Sequence, residues 1–172
     1  MTGPPSSGKT EVVKYLEENG FSVKHEVARQ FIDEQIKNGR KIEDIRSDPK
    51  AFQLKLMPFY VERENILDIG QPSILDRALP DWVAYGRLCG SPIIDEILAV
   101  CHNRKYQQIF FMDRLPKYIA DYARAEDETI AQDIAVALLR VYCELGYEIV
   151  FIPFATVEDR AKMVLQRLEE TK

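Results

Sequence analysis

Apolar positions along the chain keep two rhythms in turn: short runs of strand length, and longer stretches in which apolar residues return every third or fourth position. That alternation from end to end predicts a parallel sheet with crossover helices. A helix is expected over 8–19, with Val12, Val13 and Leu16 inward and Gly20 at its end. A strand over 21–26 alternates Phe21, Val23 and His25 against Ser22 and Lys24. Helical spacing then returns over 27–38 through Val27, Phe31 and Gln35, closing at Gly39. The charged stretch 37–50 reads as loop.

Asp48 and Pro49 form a good N-cap and first-turn pair for a long helix that should turn Phe52, Leu56, Phe59 and Tyr60 inward and kink at Pro58. A short strand is expected over 73–76. Pro80 and Asp81 then open a helix ended by Gly90, and Ser91-Pro92 open another to about Cys101. The remaining expectations are a strand over 109–112, a helix over 128–145 ending at Gly146, a strand over 148–153, and a terminal helix opened by Thr156 and Asp159 as a capping box.

With 172 residues the chain suits one α/β domain spanning 1–172. A 46% apolar and 30% charged composition is that of a globular protein, and the net charge of -5 argues against a broad basic surface for nucleic acid. No apolar stretch approaches the roughly 18 residues of a membrane span, so a cytoplasmic location is expected. Cys89, Cys101 and Cys143 are odd in number and widely spaced, the pattern of buried free thiols. Two histidines and no Cys-x-x-Cys leave a structural zinc site short of ligands.

The specific signal lies at the amino end. Gly3-Pro4-Pro5-Ser6-Ser7-Gly8-Lys9-Thr10 matches the phosphate-binding loop pattern in full. Its glycines let main-chain amides curl around phosphate oxygens, the following helix offers unpaired donors and a positive dipole end, Lys9 adds a cation, and Thr10 can ligate magnesium. A nucleoside-triphosphate cradle follows, with ATP and Mg2+ as the expected ligands. Such a loop normally follows a buried strand, yet only Met1 and Thr2 precede Gly3. Roughly 5–8 further apolar residues are expected upstream in the natural gene product, and a gap in the sheet beside the loop without them.

Asp76 ends an apolar strand, where a carboxylate can reach the magnesium shell, and Arg77 beside it can hold a phosphate or an acceptor. The competing reading of this pair is an ordinary surface ion pair. Glu26, at the end of the second expected strand, can accept a proton from an attacking hydroxyl. Arg29, one turn onward, either binds a substrate anion or pairs with Glu26. His25 reads as a core or rim histidine, and Asp81 as a helix-dipole partner rather than a catalyst. Between 113 and 127 lie Asp113, Arg114, Lys117, Asp121 and Arg124 with Tyr118 and Tyr122. They form either a lid whose arginines close over a triphosphate or a solvated helical face.

These residues, together with His25-Glu26-Val27-Ala28-Arg29, Asp48-Pro49-Lys-Ala-Phe52, Leu75-Asp76-Arg77-Ala-Leu-Pro80-Asp81, Leu145-Gly-Tyr147-Glu-Ile-Val150 and Val157-Glu-Asp-Arg160, resemble the small single-domain AAA-type ATPases related to the nicotinamide-riboside kinase domain of the bacterial NAD-synthesis regulator. The resemblance covers nearly the whole chain, and it implies a kinase-like P-loop NTPase fold, a three-layer sandwich with strand order 2-3-1-4-5. It further implies ATP and magnesium binding, a general base at Glu26, an acidic-Arg motif at Asp76-Arg77 and a lid that includes Arg114 and Arg124. Two active functions are compatible with it, beside a structural module with a vestigial nucleotide site. One is transfer of the ATP γ-phosphoryl group to an unidentified small-molecule hydroxyl, as in nucleoside and nucleotide kinases; the other is an ATPase or nucleotide-dependent switch acting on a macromolecular partner. A Ras-like GTPase is disfavoured, since no Asp-x-x-Gly occurs and Asn65-Ile-Leu-Asp68 lacks the guanine-recognition lysine.

Overall fold

The computed structural model describes residues 1–68, 70–115 and 128–170. Helix α1 (Lys9–Glu18) leads to strand β1 (Val23–Lys24), helix α2 (Val27–Lys37), the short α3 (Ile42–Ile45) and α4 (Pro49–Asn65). Strand β2 (Ile74–Leu75), helices α5 (Leu79–Leu88) and α6 (Ile94–His102), and strand β3 (Ile109–Met112) follow. Helix α7 (Glu128–Glu144), strand β4 (Ile149–Ile152) and helix α8 (Val157–Glu170) complete the order. Among the described residues no helix is long and apolar enough to cross a membrane.

The strands form two parallel pairs, β1 with β2 and β3 with β4. Met1 and Thr2 sit between the pairs. The Met1 terminal amine donates to the Leu75 carbonyl at 2.7 Å, and its carbonyl accepts from the Arg77 amide at 3.0 Å. On the other side the Thr2 amide donates to the Phe110 carbonyl at 2.8 Å, and Thr2 accepts from the Met112 amide at 2.9 Å. The resulting order, β1-β2-(residues 1–2)-β3-β4, is the expected 2-3-1-4-5, with Met1 and Thr2 bridging the central position between the two pairs.

Helices cover both faces because β3 is buried on both. Phe110 and Met112 pack with Val12 and Leu16 of α1 and with Ala161 and Val164 of α8. Phe111 faces the opposite layer, with Leu56, Leu79, Trp82, Ile134 and Leu138. The two-residue side-chain period of a strand thus divides the core into two clusters, one on each side of the sheet.

Local chemistry sets most element ends as the sequence implies. The Asp48 carboxylate accepts from the Ala51 amide at 3.0 Å, and the Thr156 hydroxyl exchanges bonds with Asp159, accepting from its amide at 3.2 Å and donating to its carboxylate at 2.7 Å. Elsewhere tertiary packing overrides the pattern. The charged 37–50 stretch contains α3, held by the buried Ile45. Strand 21–26 shrinks to two residues, and Phe21 lies 38% exposed instead of inward. Phe59, 45% exposed, sits on the outer side of α4 against Phe31, and α4 continues through Pro58. Helix α6 begins at Ile94 rather than at Ser91-Pro92. All three cysteines are free, but only Cys101 is buried; Cys143 is exposed and Cys89 is half-buried.

Candidate functional site

The Gly3–Thr10 loop leaves the sheet at Thr2 and turns into α1. Gly3 holds φ 142°, and a Cβ there would lie 2.6 Å from the Met112 carbonyl oxygen, so only glycine lets the loop start flush against the end of β3. Ser6 adopts φ 58° and Gly8 φ 73°, two left-handed residues that bend the loop back over the helix start. Pro4 and Pro5 carry no N–H, so Ser6 to Thr10 must supply its main-chain donors. The α1 amino end adds its unpaired first-turn amides and positive dipole end. Together they make a hollow suited to a polyanion.

Beneath the loop, Lys9 is buried, and burial pushes its ammonium down to about 8, helped by the Arg77 charge and opposed by Asp76, Glu26 and Asp81. Asp76 is also buried, which raises its pKa against the pull of Lys9, and among the described residues its Oδ1 has no hydrogen-bond partner. The unfolded lysine keeps its proton to 10.5 and the folded one releases it near 8, so between these values the unfolded state holds more protons. Lys9 therefore makes the ligand-free protein more stable as pH rises from about 8 toward 10, a trend that urea unfolding across that window reads directly.

Arg77 organises the other side of the site. Its left-handed φ of 62° turns the side chain across the end of the sheet, where Nε donates to Glu26 Oε1 at 3.1 Å and one terminal nitrogen donates to Asp81 Oδ1 at 3.1 Å. The guanidinium also lies 5.2 Å from the Tyr85 ring centre. Burial alone would lower its pKa, but the Tyr85 oxygen and the Glu26 and Asp81 carboxylates outweigh that and raise it well above the usual arginine value. This is no surface ion pair: the side chain is 6% exposed.

Asp81 is fully buried and takes four donors. They are the Thr2 hydroxyl at 2.7 Å, Arg77, the Ala78 amide at 3.0 Å and the Tyr142 hydroxyl at 2.6 Å. It is the third residue of α5 rather than the second, and its bond to Ala78 caps that helix, as a dipole partner should. The Leu79 amide is met from outside by the buried Glu64 at 2.7 Å, which also accepts from the Tyr106 hydroxyl at 2.7 Å. Arg63 on α4 donates to the His25 carbonyl at 2.9 Å and the Arg77 carbonyl at 2.7 Å, tying together the ends of β1 and β2.

Glu26 and Arg77 open into a cavity of about 60 Å3. Pro5 of the loop forms one wall, Arg29 and Arg46 lie at the helical side, and Phe52, Tyr60, Trp82 and Tyr85 supply aromatic surface. The structure thus gathers Lys9, Glu26, Asp76 and Arg77 around the loop and places Arg29 on the same cavity. His25 lies on the rim, 41% exposed, 3.1 Å from Glu17. Arg114 is half-buried just beyond β3; Lys117, Tyr118, Asp121, Tyr122 and Arg124 lie outside the described residues.

Sequence reasoning missed Arg63, the cavity aromatics, the hub role of Asp81, and Arg160. For Arg160 a signal existed: it shares the inward stripe of α8 with Ala161 and Val164, where a charged residue demands a partner. For Arg63 there was none, since its partners are carbonyls brought together by the fold.

A family model described as an AAA domain matches residues 1–160. Among solved structures, the chain superposes on a NadR protein in complex with NR with a TM-score of 0.71 and 14% identity, covering 99% of this chain and 49% of that one. It spans about half the length of that NadR chain. A deoxyadenosine kinase from M. mycoides, with the products dCMP and a flexible dCDP bound, gives a TM-score of 0.65 at 14% identity, covering 99% of this chain and 97% of that one. These likenesses establish an α/β fold of the P-loop kinase type. No curated protein matches the chain.

Proposed function

The chain belongs to the AAA-domain family, and on that premise we propose that it binds ATP with magnesium and transfers the γ-phosphoryl group to the hydroxyl of a small molecule seated in the Glu26 cavity. The observation that carries this reading is the cavity itself: one small space is walled by the phosphate loop through Pro5, by a carboxylate and by a buried arginine. A macromolecular switch does not call for an aromatic-lined cavity at that position.

In this reading the Ser6 to Thr10 amides hold the polyphosphate and Lys9 places its charge against the terminal phosphates. Glu26, fixed by Arg77, takes the proton of the attacking hydroxyl, while Arg77 faces the incoming anion. The Asp76 oxygen, unpartnered among the described residues, suits a hard cation, and Thr10 and Asp76 are the residues that would hold magnesium. When bound, magnesium neutralises phosphate oxygens during transfer. Arg114 and Arg124 belong to the proposed lid over 113–127, and Arg29 to the acceptor's surroundings.

Thermal melting with a panel of nucleotides and magnesium, followed by a phosphoryl-transfer screen of nucleosides and related metabolites, tests the proposal. ATP at about a hundred times its dissociation constant should raise the melting temperature by roughly 5–10 °C. Stabilisation by ATP with hydrolysis but no phosphorylated metabolite would favour the ATPase or switch reading; no nucleotide effect would remove both. The Lys9 charge adds a pH signature. Because its ammonium titrates near 8, ATP affinity should fall above that pH by up to about tenfold per unit, as calorimetry at pH 7 and 9.5 can check.

A further inference from the structure

We infer that Arg160 is a positioning residue for nucleotide binding, holding the phosphate loop from behind and aiming its amides into the hollow. The inference rests on the reading that this loop binds nucleoside polyphosphate. Arg160 projects from the first turn of α8 and is 1% exposed. One terminal nitrogen donates to the Ser7 carbonyl at 2.6 Å, and the other donates to the carbonyls of Asp113 at 3.0 Å and Ile152 at 3.3 Å. Arg160 thereby adds a side-chain clamp to three segments that main-chain bonds, from the Leu115 amide to Ser6 at 3.1 Å and from the Asp113 amide to Ile152 at 3.0 Å, also join: the loop, the exit from β3 and the exit from β4.

The consequence for the loop follows from peptide geometry. The Ser7 carbonyl and the Gly8 N–H belong to one planar trans unit and point in opposite directions. Pulling the carbonyl oxygen toward Arg160 therefore turns the Gly8 N–H to the other side, away from α8. Gly8 itself makes room for the contact: a Cβ there would stand 3.2 Å from the Arg160 terminal nitrogen. The guanidinium suits the task because its rigid fork serves several acceptors at once, which a lysine ammonium at the end of a flexible stem does less well. Among the described residues its hydrogen bonds go to carbonyls and none to a carboxylate, so no contact ion pair cancels its charge behind an anion site.

The test is calorimetric titration of the full chain with ADP and magnesium, and separately with inorganic pyrophosphate, for the wild type, Arg160→Gln and Arg160→Lys. Circular dichroism and melting curves establish that each variant is folded at the titration temperature. Arg160→Gln should weaken ADP and pyrophosphate alike by about 10- to 100-fold at unchanged stoichiometry, with partial recovery in Arg160→Lys. A purely structural role would instead lower the melting temperature or the fraction of competent protein without raising the dissociation constant, and that result would overturn the inference. Where Arg160→Gln does not fold, Arg160→Lys decides: wild-type affinity for ADP and pyrophosphate overturns the inference, and a weakened value at full stoichiometry supports it. Failure of the wild type to bind ADP would overturn the nucleotide reading itself, and the positioning role with it.

Discussion

Glu26→Gln is expected to slow phosphoryl transfer by about 10²- to 10⁴-fold while leaving ATP affinity nearly unchanged. The amide keeps an oxygen that can accept the 3.1 Å bond from Arg77, so the arginine stays in place and only the ability to take a proton is lost. Of the loop only Pro5, which carries no N–H, lines the cavity with Glu26, so the amides that would hold ATP stand outside that lining and binding should survive. Single-turnover transfer to the acceptor found by screening, paired with ATP titration of the same protein, separates the two effects. Equal transfer by both proteins would remove Glu26 from the mechanism.

The largest effect on stability is expected at Asp81. Asp81→Ala would strip an acceptor from the Thr2 hydroxyl, the Arg77 guanidinium, the Ala78 amide and the Tyr142 hydroxyl at once, all within a fully buried site. Removing one side of a buried charge pair costs about 3–5 kcal/mol, equivalent to a fall in melting temperature of roughly 6–20 °C for a chain of this size. Asp81→Asn should cost less, because it keeps one oxygen for one pair of donors, but its amide group faces donors on the other side. Urea unfolding of both variants measures the difference. A loss below about 1 kcal/mol for the alanine variant would mean that Arg77 and Tyr142 find other partners.

The parts of the fold that could be read from the chain are those governed by neighbours in sequence. The phosphate loop, the Asp48 and Thr156 caps and the glycines ending α1, α2, α5 and α7 depend on a handful of consecutive residues, and each stands where the pattern puts it. Phe59 fits the inward stripe of α4 by spacing, yet the space beneath that stripe is filled by Phe52, Leu56 and Tyr60, and Phe59 is left at the margin. The short α3 has too few residues for any periodicity to register. Glu26, Asp76 and Arg77 were legible because strand ends in such sheets gather ligand-facing groups. Asp81 read as a helix-start carboxylate and is one; its other three donors arrive from residues 2, 77 and 142, and only the folded chain brings them there.

Arg63 grips the main chain beside Glu26 and at Arg77 from α4, the same helix that gives the cavity Phe52, Gln53, Leu56 and Tyr60. One helix therefore both walls the cavity and fixes the spacing of the Glu26–Arg77 ion pair. Under the proposed function, reshaping that helix to admit a bulkier acceptor would also shift the Glu26–Arg77 pair.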